Sequence, residues 1–181
     1  MNKMIKFMSQ LILVTCLIFI SATHAGTASV EWQDPDSYLD IRHSNSGKLQ
    51  FRKSLFNQFE KHFSKLAQDL PDDVELKIKV TNLNLAGDVR YSFAMHREIR
   101  IVKHTYWPMI EFEYQLNKGN QLITSDTVKL KDMFFMDRGG SFRLSHDSYF
   151  YEKRILTDWF DKTLQVMVAE QHDLELEQSS D

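Results

Sequence analysis

Residues Val74 to Gly87 read VELKIKVTNLNLAG, and this stretch decides the fold. Val74, Leu76, Ile78 and Val80 alternate with Glu75, Lys77, Lys79 and Thr81, the period of two that gives a strand one buried face. Past Thr81 the phase changes, and Leu83 and Leu85 take the parity held by Lys77 and Lys79. A bulge or a strand exit near Asn82 accounts for that change.

The neighbouring segments read as elements that cover or extend this strand. Upstream, Phe51, Leu55, Phe59, Phe63, Leu66 and Leu70 recur at spacings of three and four, predicting a helix over Lys48–Asp69 that Pro71 stops. Val30-Glu31-Trp32 reads as a short strand before the turn Asp34-Pro35-Asp36. Downstream, Gly87 to His96 is expected to be a loop and Arg97–Lys103 a half-buried strand. Ile110, Phe112, Tyr114 and Leu116 alternate with charged and amide residues. The turn Asn117–Asn120 leads to a return strand over Gln121–Leu130, with an irregularity expected at Ser125-Asp126. A second helix is expected over Tyr149–Glu170, capped by Asp147 or Ser148, with Leu156, Trp159, Phe160, Thr163 and Met167 on its apolar side. The fold class that follows is α+β: a two-layer sandwich in which two helices pack on one face of a mostly antiparallel sheet of four or five strands. The first strand, returning through a helix, is placed to lie parallel to the central one. The opposite face, with Lys77, Lys79, Glu111 and Glu113, is expected to be wet.

The amino terminus speaks to compartment. Lys3 and Lys6 precede an apolar run over Leu11–Ile20, and Ala22-Thr23-His24-Ala25 ends in a small residue, the layout of a signal peptide cleaved after Ala25. The run falls short of the about 20 apolar residues of a membrane span, so no stable span is expected after cleavage. Cys16 follows Leu13-Val14-Thr15, a poor match to a lipoprotein signal. It is the only cysteine in the chain, so the exported domain has no disulfide and no cysteine nucleophile. The expected organisation is a signal peptide over 1–25, a single domain over 26–170 and an acidic, disordered tail over 171–181. The formal charge of −3 becomes more negative once Lys3 and Lys6 leave, which argues against nucleic-acid binding. The expected location is the periplasm of a Gram-negative cell.

Several short motifs resemble a family of exported proteobacterial domains of unknown function. They are Trp32-Gln33-Asp34-Pro35 with Tyr38-Leu39-Asp40-Ile41, the Leu70-Pro71 stop, Leu83-Asn84-Leu85-Ala86-Gly87, and Tyr151-Glu152-Lys153-Arg154 with Trp159-Phe160. The resemblance runs from about Val30 to Phe160 and implies a periplasmic single domain with no assigned activity. In that family the Leu-Ala-Gly segment tends to carry acidic residues where this chain has Asn82 and Asn84, so a charge-dependent role does not carry over.

No chemical constellation stands out. Asp34, Asp36 and Asp40 lack the glycine and terminal glutamate of a calcium loop. His96 and His104 lie about 26 Å apart if extended, too far to share a metal. Gly139-Gly140-Ser141 with Arg138 and Arg143 offers an anion nest but no serine-hydrolase elbow. No cofactor, metal or catalytic residue is therefore expected. Met133-Phe134-Phe135-Met136 cannot all point inward, and an exposed apolar cluster marks a partner surface. The favoured reading is a non-enzymatic envelope module that binds a protein partner. The alternative is a hydrolase or small-ligand binder with a site in the 87–96 or 138–143 loops.

Overall fold

The computed structural model describes residues 25–38, 40–41, 47–138 and 147–170. The leader up to His24, the Gly139–Arg143 segment and the acidic tail lie outside them. The chain runs β1 (Thr27–Trp32), α1 (Lys48–Ala67), β2 (Val74–Asn84), β3 (Asp88–Ser92), β4 (Arg97–Ile101), β5 (Met109–Lys118), β6 (Gln121–Lys131) and α2 (Phe150–Phe160). A π-helical turn, Asp161–Gln165, follows α2, and residues 166–170 are again helical.

The main sheet has the order β1-β2-β5-β6, with β1 parallel to β2 and the other pairs antiparallel. Alternation places Leu76, Ile78 and Val80 of β2 beside Phe112, Tyr114 and Leu116 of β5 on one face. Both helices cover that face: Leu55, Phe59 and Phe63 from α1, and Leu156, Trp159 and Phe160 from α2, join one buried cluster with Ile78. Phe112 sits between the helices, its ring 6.2 Å from Phe63 and 4.8 Å from Trp159, both edge-on. The α+β sandwich thus stands as expected.

The other face is charged and wet. Lys79 pairs with Glu113 across the register, Lys77 with Glu75 along its own strand, and Lys129 with Glu111. Such exposed pairs contribute about 0–1 kcal/mol each. They do more to keep this face from packing than to hold the fold.

The phase change after Thr81 is a bulge within one continuous strand, with the β2–β5 register slipping between Val80 and Asn82. The irregularity of the β5–β6 hairpin lies elsewhere than expected. It falls at Leu116/Asn117 opposite Leu122 and Thr124, rather than at Ser125-Asp126. The hairpin turn sets Lys118 against Gln121, with Gly119 at φ +56°. One extra residue, Ile123, must then be absorbed before Leu116 meets Thr124.

Two further expectations are corrected. Gly87–His96 is not a loop: Asp88–Ser92 is a strand that pairs with Arg97–Ile101 in a ribbon separate from the main sheet. Its base is held close, because Gly87, at φ +87°, donates its N–H to Tyr106 O at 2.9 Å. At the start of α2, neither Asp147 nor Ser148 caps the helix. Tyr149 is the N-cap, at φ 61°, without a side-chain cap bond. The apolar stripe also shifts late in this helix. Leu164 is buried where Thr163 was expected to be, and Val168 packs on the core, because the π turn adds a residue to the helical repeat.

At the amino end, Gly26 is buried and its N–H donates to Leu70 O at 2.9 Å. A Cβ there would lie 2.8 Å from both Ala67 O and Leu70 Cβ.

Candidate functional site

Trp32–Pro35, Leu83–Gly87 and Tyr151–Arg154 converge on one end of the sheet, whereas Leu70-Pro71 lies at the other, beside Gly26. The turn Asp34–Asp36 is tied down by α1: Arg52 donates to Pro35 O at 3.1 Å and to Asp36 Oδ1 at 2.6 Å. Trp32 stacks on Phe56 at 4.0 Å and donates its indole N–H to Glu60. Tyr38 donates its hydroxyl to Val80 O at 2.9 Å, and burial pushes its pKa up to about 12. Asp40 accepts from Arg100 of β4 at 2.9 Å. The three aspartates thus work in separate turns and ion pairs. Among the described residues no group of three His, Asp or Glu is arranged to hold a metal.

Between the end of β2, the base of the ribbon and the first turn of α2 lies a cleft of about 290 Å³. Leu85, Val89 and Val102 give it apolar walls, and Arg100, Tyr149 and Glu152 bring polar groups. Glu152 is buried, and its carboxylate accepts the Ala86 N–H at 2.5 Å. Desolvation pushes its pKa above the usual carboxylate range. The bonds from the Ala86 and Glu152 backbone N–H groups and the charges of Arg100 and Lys153 pull it partly back. Arg100 also donates to Gly87 O at 2.9 Å. The acid and the guanidinium are therefore both engaged in clasping the Leu85–Gly87 backbone. Residues of the Leu83–Gly87 and Tyr151–Arg154 motifs meet in that clasp.

This clasp has a pH signature. A carboxyl whose folded pKa is raised favours folding at pH below its unfolded value, and that contribution is lost as pH rises through the folded pKa. Glu152→Gln keeps an acceptor for Ala86 and removes the buried charge. It is expected to be more stable than the parent at neutral pH, with the advantage disappearing at acid pH. Urea melts at pH 4 and pH 7.5 read this directly, and an advantage that persists at pH 4 contradicts it. His62, whose pKa burial lowers, acts in the opposite sense in both proteins: it costs stability as pH falls below about 6.5.

The Met133–Met136 cluster divides. Phe135 is fully buried, edge-on to Tyr151 at 4.7 Å, so it anchors the turn and does not face a partner. Phe134 is 69% exposed, and Met133 and Met136 are exposed with it. The turn that carries them is held from several sides. Asp132 accepts from the Phe134 N–H at 3.0 Å and from Arg138 at 3.1 Å. Arg138 reaches Asp158 of α2 at 2.5 Å, and Arg154 donates to Phe135 O at 2.5 Å.

Sequence reasoning named Glu152 within a motif without a role. Nothing in the periodicity marks it, because the first turn of α2 is buried on several sides, at Tyr151, Glu152 and Lys153 together. The ribbon tip was missed as well, although Val89 and Tyr91 alternate with Asp88, Arg90 and Ser92 as a strand requires.

No helix among the described residues is long and apolar enough to cross a membrane. No curated protein and no solved structure is detectably similar to the chain. A family model described as "Protein of unknown function (DUF3016)" matches residues 26–162, which span the β1-to-α2 body and the clasp between its motifs. The chain belongs to the DUF3016 family.

Proposed function

We propose that the chain is exported to the periplasm by a leader cut after Ala25 and serves there as a non-enzymatic interaction module of the envelope. It grips a protein partner through Met133, Phe134 and Met136. The observation that carries this reading is a large aromatic side chain held out in solvent on a turn fastened by Asp132, Arg138 and Arg154. A rigid exposed apolar group loses little freedom on docking, which is how anchor residues contribute most to an interface.

The test places a photo-crosslinking residue at Met136 in the exported chain in cells, with and without Phe134→Ser. One discrete adduct that Phe134→Ser abolishes is the expected result. Because Phe134 is exposed, the substitution should change stability by no more than about 0.5 kcal/mol. No adduct, or one indifferent to Phe134, overturns the reading. A second reading, a small ligand in the cleft, is favoured by the buried Glu152 with its raised pKa. Chemical-shift changes confined to Leu85, Val89 and Tyr149 on adding small aromatic acids or amines would support it over the first.

A further inference from the structure

Gly26 is buried just ahead of β1, against the far end of α1. After Ala67 that helix closes in tight turns: Gln68, Asp69 and Leu70 donate back to Lys65 O, Leu66 O and Ala67 O. The next oxygen, Leu70 O, accepts the Gly26 N–H at 2.9 Å. A Cβ on Gly26 would meet Ala67 O at 2.8 Å and Pro71 O at 2.9 Å, so three backbone oxygens crowd this one residue. Ala67 and Leu70 are buried, whereas Ala25 is only half-buried.

We infer, resting on the proposed cut after Ala25, that the fold holds a binding site for its own new amino terminus: the ammonium at Gly26 is bound by the carbonyl oxygens that end α1. Hydrolysis of the Ala25–Gly26 bond consumes one water. Ala25 leaves as a carboxylate, and the nitrogen of Gly26 becomes a protonated amine. In its seat the amine keeps the bond to Leu70 O, now charge-assisted and roughly twice as strong as a neutral one. It also stands beside the negative end of the α1 dipole, where a cation is favoured. The side that half-buried Ala25 vacates admits water to the remaining N–H groups, which keeps the desolvation cost low. Charged side chains on the neighbouring segments are Lys65 and Asp69 at the end of α1, Asp72 and Asp73 in the turn, and Glu75 opposite Thr27. Asp73 and Glu75 pair with Lys118 and Lys77, so the attraction comes from the backbone oxygens and not from a surplus of acid. The helical segment beyond the π turn brings Gln165, Val168 and Ala169 to Leu70 and Pro71, none of them charged.

An ammonium favoured by the folded state adds stability below the ordinary α-amine value of about 7.7–8.0 and loses it as pH rises through the folded value. The experiment takes the chain recovered from the periplasm and first reads its start by intact mass and N-terminal sequencing. Gly26 is expected, and any other start refutes the cut and the inference with it. The chain starting at Gly26 is then compared with one starting at Ala25, prepared with a site-specific protease. The extra residue moves the charge out of the seat and keeps the Gly26 N–H bond to Leu70 O, an arrangement that the fold already accommodates. In urea melts at pH 6.5 the chain starting at Ala25 should show an unfolding constant about fivefold larger, and the difference should vanish at pH 10. The α-amine of Gly26 should also acetylate at pH 8 roughly tenfold more slowly than that of the free peptide Gly-Thr-Ala-Ser. Equal stability at pH 6.5, a difference that persists at pH 10, or an amine that reacts at the peptide's rate overturns the inference and leaves the cut standing.

Discussion

Phe112→Ala is expected to cost the fold about 3–5 kcal/mol, a large share of the roughly 5–15 kcal/mol that holds a domain together. The ring is fully buried and is the one on which both helices meet, touching Phe63 from α1 and Trp159 from α2. Removing it opens a void that neither helix can close alone, since each is also fixed to other strands. Phe59 and Leu55 hold α1 to the core, and Leu156 and Phe160 hold α2. The urea midpoint should fall with the slope unchanged, the mark of lost stability rather than an altered unfolded state. Phe112→Leu, which fills most of the space, should cost markedly less. Equal costs for the two would mean that the helices do not depend on this ring.

Among the described glycines, Gly87→Ala combines strain with a backbone clash and should be strongly damaging. At φ +87° an L side chain is strained by about 1–2 kcal/mol before any contact is counted. The added Cβ would also lie 2.6 Å from the carbonyl oxygen of Ile101 and 3.0 Å from its carbon, both rigid backbone. The end of β4 must therefore move away from the start of β3. Arg100, which ties this point to Asp40, moves with it. Hydrogen exchange should quicken across Asp88–Ile101 while the amides of β2 and β5 keep their protection. Uniform quickening across the main sheet would show that the ribbon is not a separable unit.

How much of this was legible in the sequence depended on whether the signal was local. Val74–Val80 gave the central strand and even its phase change, because alternation records which face a strand buries. Phe51 to Leu70 gave α1 for the same reason at a helical period. Trp159 and Phe160 were placed correctly, but about one turn on the stripe was one residue out. A π turn leaves no compositional mark, so Thr163 was expected where Leu164 is buried. The Gly87–His96 segment read as a loop because glycine and a polar start look like a turn. Its pairing with Arg97–Ile101 is a local hairpin, and the alternation of Val89 and Tyr91 that marks it stands in the sequence. The clasp at Glu152 was illegible for a different reason: its partner, the Ala86 N–H, is 66 residues away. In the Met133–Met136 turn the crowding of apolar residues was plain. Which of the four turns inward is decided by Tyr151 and by the Arg154 bond to Phe135 O.

On the export route proposed above, Gly26 sets an order of events. The proposed cut falls at the bond just before it, and in the finished molecule that residue is wedged between the end of α1 and Pro71 with no space for even a methyl group. A peptidase needs several residues drawn out straight in its groove, and a closed body cannot offer them here. If a leader is cut there as proposed, trimming comes before the first strand seats, and a chain that closed too early would stay moored by it.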